Sequence, residues 1–447
     1  MVGTFRPRRL ASAALLGALA LGLAACGGEY PNSTFNHNTD FNADIDALWD
    51  KLLFWGTIVF IGVEAGLVYT IFRFRRRPGG ATPKQVHGNT ALEITWTAIP
   101  AVILILIAIP TVRTIFKTQA KAAPDALQVE VIGHQWWWEF RYPQYGITTA
   151  NELYLPNGRT VNFQLKTVDV LHSFWIPQMG GKRDLISNRT NYLWFTPNKD
   201  LGTKAWNGFC AEFCGPSHAN MKLRAYTVTP QEFEQWTAHQ KQPAIFPALA
   251  AAPASAAGTA AGTAAVAPVP SGAGATPVVL AANQAGGPAA ATDSAAPAAA
   301  PVPVWAFPRE KLESEFGYTI PTAKIPALLS YDESLLATGD AARGKDLYSK
   351  SSCIGCHAIA GTPFNMAAVG PNLTHVGTRY TIAGGLYPND AKHLAYWIKN
   401  APAMKPGSLM PTLGKGLTDP KTKMVVNVGG LSDADIADIV AYLQALK

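Results

Sequence analysis

Two apolar runs constrain this chain more than anything else in it. LLFWGTIVFIGVEAGLVYTIF, Leu52 to Phe72, and ITWTAIPAVILILIAIPTVRTIF, Ile94 to Phe116, are each long enough, at about 1.5 Å per helical residue, to cross a hydrocarbon layer of about 30 Å. Only a helix or a closed barrel satisfies every backbone group there without water, so both read as helices. Pro100 and Pro110 weaken the second one locally, a break that neighbouring helices can absorb. The first run ends in Arg73, Arg75, Arg76 and Arg77, which the positive-inside rule puts on the cytoplasmic side. The chain therefore enters from outside, turns and returns outside, as a membrane hairpin with an exported remainder. Much of the net charge of +7, modest for 447 residues, lies in such short clusters, which argues against a nucleic-acid surface.

The start of the chain supports export independently. Arg6, Arg8 and Arg9 precede an apolar stretch and small residues that end at Cys26, the plan of a secretory signal. It resembles a bacterial lipoprotein signal, residues 1–25, whose removal leaves Cys26 as a lipid-modified N-terminus. Residues 26–123 then hold the N-terminal segment and the hairpin. Residues 124–240 change character: LQVEVIGHQWWWEF, TVNFQLKTVDV, YLWFTP and LRAYTVT are short, aromatic and β-branched, and Pro, Gly and Asn separate them. Such strands in series predict an all-β sandwich or barrel. Residues 241–334 are an Ala, Pro and Gly-rich linker and connecting segment, whose sixty or so low-complexity residues would span about 40 Å if flexible. Residues 335–447 form a small helical unit that ends in LSDADIADIVAYLQALK. There Ser432 is the predicted N-cap, and Ile436, Ile439, Val440, Leu443 and Leu446 share one face.

Of five cysteines, Cys353 and Cys356 stand in SSCIGCHAIAG, where Cys-x-x-Cys followed by His357 is the arrangement for covalent c-type haem attachment. A zinc half-site is the alternative, but no second ligand pair follows. A sixth iron ligand has four methionine candidates, Met366, Met404, Met410 and Met424. The unit resembles class I cytochrome c, an all-α fold, through Gly370 to Leu373 (GPNL) and Met410-Pro411. The resemblance implies Met410 as axial ligand, with Met404 second to it, and the Pro371 carbonyl orienting His357. His375 and His393 read as surface residues.

GFCAEFCGPSHANM carries Cys210, Cys214, His218 and Met221, a set open to a disulfide, a zinc site or a copper site. Met is a poor zinc partner, whereas copper favours thiolate, imidazole and thioether together. His172 in TVDVLHSFWIP supplies a second imidazole. With these two segments the chain resembles the cupredoxin-like copper A domain of cytochrome c oxidase subunit II. That resemblance implies a dinuclear copper A centre held by His172, Cys210, the Glu212 carbonyl, Cys214, His218 and Met221. It implies a magnesium or manganese ion shared with subunit I through the Glu212 carboxylate, and Trp136 as the residue that receives electrons. Trp137 stands where the family usually has Tyr, Asp169 is a supporting residue, and Glu93 in LEITWT marks the mouth of a proton pathway. The mid-span Glu64 reads as facing another helix. The three consecutive tryptophans, Trp136 to Trp138, are expected on a strand with alternating faces.

Together the segments resemble subunit II of a caa-type oxidase, in which a cytochrome c domain is fused behind the copper domain. The expectation is a multidomain membrane protein: a two-helix transmembrane hairpin, a cupredoxin-like all-β barrel and an all-α class I cytochrome c domain. Electrons would pass from haem c through copper A to haem in subunit I, for oxygen reduction coupled to proton translocation. The implied partners are subunits I and III, membrane lipid, and cytochrome c or a bc complex as donor. The implied place is the bacterial cytoplasmic (inner) membrane, multi-pass, with both redox domains on the periplasmic side. The alternatives are the copper A subunit of a nitric oxide reductase and a zinc-stabilised, lipid-anchored electron-shuttle cytochrome.

Overall fold

The computed structural model describes residues 17, 32–76, 78–80, 85, 87–244, 303–313, 323–363, 365 and 369–447. Cys26, the arginines that precede it, Arg77, nearly all of the linker and Met366 lie outside them. Helix α1 spans Asp40–Arg73 and α2 spans Thr90–Gln119. Both are long and apolar enough to cross a membrane. They expose Phe60, Ile61, Ile94 and Leu104 by more than half, an apolar surface that water does not tolerate over this area. Helix α1 begins at Asp40 rather than near Leu52. Its first turn is not in the apolar run but anchored on the β domain. The Thr39 hydroxyl caps the helix by accepting from the Asn42 N–H and donates to the Met179 carbonyl, while Phe41 is buried against Gly181. An ion pair between Lys117 and Asp44, 2.6 Å, ties α2 to this same end. Pro100 and Pro110 lie inside α2 without ending it.

Ten strands make the next unit: β1 (Leu127–His134), β2 (Trp137–Tyr142), β3 (Ile147–Ala150), β4 (Glu152–Pro156), β5 (Val161–Thr167), β6 (His172–Trp175), β7 (Arg183–Leu185), β8 (Asn191–Phe195), β9 (Lys204–Cys210) and β10 (Lys222–Val228). They form two five-stranded sheets, ordered β3, β2, β1, β5, β8 and β4, β10, β9, β6, β7. Alternation puts Leu127, Val129 and Val131 of β1 inward, against Phe163, Leu165 and Phe174. Helix α3 (Pro230–Gln240) closes one end, started by a Thr229/Glu232 capping box. It buries Phe233 and Trp236 against Tyr142 and Tyr154. Phe307, from the connecting segment, joins this core beside Tyr226.

The C-terminal unit is built on α4 (Ala341–Lys350), α5 (Ala391–Lys399) and α6 (Asp433–Ala445). Helices α4 and α6 cross at Gly344, where a Cβ would lie 1.9 Å from the Asp438 carbonyl oxygen, so only glycine permits the approach. Ser432 caps α6 as expected, and Ile436, Ile439, Val440, Leu443 and Leu446 are all buried. A short ribbon, β11 (Thr381–Ile382) with β12 (Tyr387–Pro388), faces the β domain. There the buried Glu152 carboxylate accepts the N–H groups of Tyr380 (2.7 Å) and Thr381 (3.1 Å). His375 corrects its reading as a surface residue. It is buried at this junction, donating from Nε2 to the Gln242 carbonyl, with its ring 4.5 Å from that of His239. Contacts between units far apart in sequence cover it, and no local pattern announces them.

Candidate functional site

Sheet register brings His172 and Cys210 together across 38 positions of sequence. Strand β6 pairs with β9 so that Phe174 lies opposite Cys210, and His172 opens β6 two residues earlier. Gly133 on β1 leaves room for the imidazole, since a Cβ there would come within 2.7 Å of His172 Cδ2. Backbone bonds then hold the loop from β9 to β10. Cys210 N–H donates to the Met221 carbonyl, Ala211 N–H to Ser173, and Met221 N–H to His218.

The donors converge as a result. Cys210 Sγ is 3.8 Å from Cys214 Sγ, 3.8 Å from His172 Nδ1 and 3.2 Å from the Glu212 carbonyl oxygen. Cys214 Sγ is 3.7 Å from His218 Nδ1 and 3.9 Å from Met221 Sδ. Both thiols are free, and the separation is far beyond a disulfide bond. His172, Cys210 and Cys214 form a buried cluster able to hold a metal ion. The Glu212 side chain points to solvent beside the exposed Phe213.

Electrostatics sets the two thiols apart. The hydrogen bond between the thiols pushes Cys210 well below the ordinary thiol range and Cys214 above it, because the pair shares one proton. Burial opposes charge on His172, but its bond to Asp169 and the nearby Cys210 outweigh burial and raise it. Burial likewise opposes charge on Asp169. The His172 bond and the N–H groups of Gln135 and Val170 still hold it below the usual carboxylate range. The Asp169 contact is made at His172 Nε2, 2.8 Å, which leaves Nδ1 facing the sulfurs.

The three tryptophans are not on one strand. β1 ends at His134 and β2 begins at Trp137, so Trp136 falls in the turn. Trp138 is fully buried beside His172 and Phe174, and Trp137 stacks on His134 at 4.1 Å. Trp136 donates from Nε1 to the Cys214 carbonyl at 2.9 Å, and Gln135 Nε2 joins it at 2.8 Å. No local motif marks Gln135.

In the C-terminal unit Cys353, Cys356, His357 and Met410 line one cleft of about 1370 Å³, part of it open to solvent, together with Trp136. His357 Nδ1 lies 2.8 Å from the Pro371 carbonyl, and burial holds the ring below the ordinary histidine range. Gly370 makes that approach possible, because a Cβ would sit 2.6 Å from His357 Cε1. Met404 is packed in the hydrophobic core away from this lining, and Met424 is exposed. Glu93 lies in the first turn of α2, its carboxylate 3.3 Å from the Asn89 N–H, a cap that also suits the helix dipole. Glu64 is exposed on α1.

Comparison with known proteins agrees with this division. Residues 37–114 match the family described as cytochrome c oxidase subunit II, transmembrane domain, residues 146–228 its periplasmic domain, and residues 341–447 cytochrome c. Cytochrome c oxidase subunit 2 of Bacillus subtilis is 30% identical over 394 residues, covering 85% of this chain and 82% of that protein. The subunit 2 of Alkalihalophilus pseudofirmus is 28% identical over 411 residues, covering 90% and 87%. The solved periplasmic domain of subunit II of cytochrome oxidase from Bradyrhizobium japonicum is 30% identical, with 27% of this chain and 97% of that one covered and a TM-score of 0.25. A membrane hairpin, an exported β domain and a cytochrome c unit thus follow one another in a chain whose long-range match extends through all three: it belongs to the cytochrome c oxidase subunit 2 family, with a cytochrome c domain fused behind the oxidase portion.

Proposed function

We propose that this chain delivers electrons to an oxygen-reducing subunit I through a dinuclear copper A centre and a covalent haem c. The copper ligands are His172, Cys210, the Glu212 carbonyl, Cys214, His218 and Met221. Cys353 and Cys356 would hold the haem covalently, and His357 and Met410 would ligate its iron. The observation that carries the reading is the convergence of two unbonded sulfurs, two imidazole Nδ1 atoms, a thioether and a carbonyl, neighbouring donors lying within 3.9 Å. A thioether in that set suits copper and does not suit zinc. Bound at these two places, the copper pair and the haem would each supply a centre that takes up and releases one electron at a time.

The protein's own groups prepare those places. Asp169 accepts from His172 Nε2 and fixes the tautomer that offers Nδ1. The Pro371 carbonyl does the same for His357 from its Nδ1 side, leaving Nε2 for the cleft. Buried strands exclude water from the thiols, and the hydrogen bond from Trp136 to the Cys214 carbonyl links the haem cleft to the metal loop through one side chain. Glu212, exposed next to Phe213, offers one carboxylate to a magnesium or manganese ion completed by subunit I. Glu93, at the cytoplasmic end of α2, leads protons toward subunit I. Both redox units then stand on the periplasmic side of a chain that crosses the inner membrane twice, and cytochrome c or a bc complex supplies electrons.

Copper EPR on the purified complex tests this. Wild type is expected to give a delocalised mixed-valence signal, and Cys214→Ser to lose it while keeping the haem α band. Zinc in place of copper in the wild-type protein would defeat the reading.

A further inference from the structure

We propose that the Lys405–Pro406–Gly407 turn of the cytochrome domain is a docking element that seats Trp136 against the haem cleft and reserves that tryptophan for the chain's own haem. The inference rests on the reading above in one respect, that Trp136 receives the electron. The contacts themselves do not depend on it.

Trp136 is held from two sides. On one, its indole N–H and the Gln135 amide both reach the Cys214 carbonyl. On the other, Lys405 Nζ donates to the Trp136 carbonyl at 2.6 Å and to the Ala383 carbonyl at 2.8 Å, so one ammonium joins the two domains. Lys405 is 3% exposed, and a buried ammonium is costly unless paired. That cost makes the lysine hard to explain except as a bridge, since a surface turn has no need of a buried cation. The neighbours of the lysine continue the seat. The Ser217 hydroxyl, from the metal loop, donates to the Pro406 carbonyl, and the Lys222 N–H donates to the Gly384 carbonyl at 3.0 Å.

Gly407 supplies the closest approach. Its φ is +85°, and a Cβ built on it would lie 2.7 Å from Cη2 and Cζ3 of Trp136. Both facts demand glycine here. The turn precedes Met410 by a few residues, and Trp136, Lys405, His357 and Met410 line the same cleft. With Trp136 only 7% exposed, a soluble cytochrome finds no indole face to meet. With both groups bound, one electron would leave the haem and enter the copper, and no further reactant would be needed.

The test uses the purified oxidase complex with wild-type, Lys405→Met, Gly407→Ala and Ser217→Ala chains, the last altered on the opposite face of the contact. Hydrogen exchange at residues 380–384 reads the docking without calling on activity. Oxidation of haem c, set against direct reduction of copper by hexaammineruthenium(II), reads its consequence. Exchange is expected to rise about tenfold or more in the two turn variants. Haem oxidation is expected to slow by about tenfold, because the altered turn no longer holds Trp136 in place against the cleft, with direct copper reduction unchanged. Unchanged exchange in all three variants, or raised exchange with wild-type haem oxidation, would overturn the proposal. A wild-type complex without copper would defeat the functional reading instead, and exchange alone would then decide the docking.

Discussion

The metal loop and the haem cleft each rest on two cysteines and a histidine, yet the fold prepares them in opposite ways. In the loop, His172 is fully buried and Cys210, Cys214 and Met221 nearly so; strand register sets His172 against Cys210, and backbone bonds of the loop hold the rest. In the cleft, Cys353, Cys356, His357 and Met410 are only partly covered and surround space. One site is shaped by the β scaffold and the loop bonds that close on it. The other is a cleft in a hydrophobic core, lined among others by Tyr348, Ile398, Ile439 and Leu443. A small ion group needs donors placed within tenths of an ångström, whereas a large planar group needs a volume and two anchors.

The sharpest way to break this contrast is to remove the anchors. Cys353→Ala/Cys356→Ala is expected to abolish cooperative unfolding of the cytochrome domain, because the group that fills its core is no longer tethered. The β domain should keep its thermal transition. Calorimetry of the double variant beside wild type would show two transitions reduced to one. If the cytochrome domain still melts cooperatively at the wild-type temperature, its core does not depend on the cleft being filled.

Gly370→Ala tests a place where the cleft is as tight as the loop. The new methyl would press on His357 Cε1, and overpacking of this kind costs about 1 to 3 kcal/mol. Denaturant unfolding followed in the haem band should show it, together with a shifted haem potential. On the other side of the comparison, Asp169→Asn leaves every donor in place and removes only the charge that orients His172. Loss of such a partner lowers metal affinity by about 10 to 100-fold. Copper competition with a chelator measures that loss, and an unchanged affinity would mean that the β register alone orients the ring.

The same contrast explains what the sequence made legible. The haem motif is local: Cys353, Cys356 and His357 lie within five residues, and GPNL names Pro371, whose carbonyl lies 2.8 Å from His357 Nδ1. The two membrane helices were equally plain, since length and apolarity are local properties, though the start of α1 was not, because its first turn is fixed by Met179 and Gly181. His172 and Cys210 could be joined only through a family resemblance, for no spacing rule links residues 38 apart. Period-two alternation puts Trp136 on a strand, since it cannot reveal where β1 gives way to a turn. Lys405, Glu152 and His375 were invisible as partners of the opposite domain, since what buries them is a contact between distant segments.

That junction carries the smallest and most discriminating effect. Burial raises the Glu152 carboxyl to about 7, against the opposing pull of Arg379 and Arg224, with Tyr154, Tyr226 and Tyr380 packed around it. Folded protein then holds more protons than unfolded between its ordinary value and about 7, so docking weakens as pH rises through that window. His375 does the reverse. Burial lowers it to about 4, with His239 and Arg379 adding to the shift, so its contribution is lost as pH falls from its ordinary value toward about 4. One proton each limits either slope to about 1.4 kcal/mol per pH unit, and in the wild-type protein the two largely cancel from pH 5 to 6.5. Glu152→Gln should therefore unmask docking that strengthens as pH rises, and His375→Gln docking that weakens. Hydrogen exchange at the Tyr380 and Thr381 amides reads both. Parallel pH profiles in the two variants would mean that this pair of buried groups does not govern the junction.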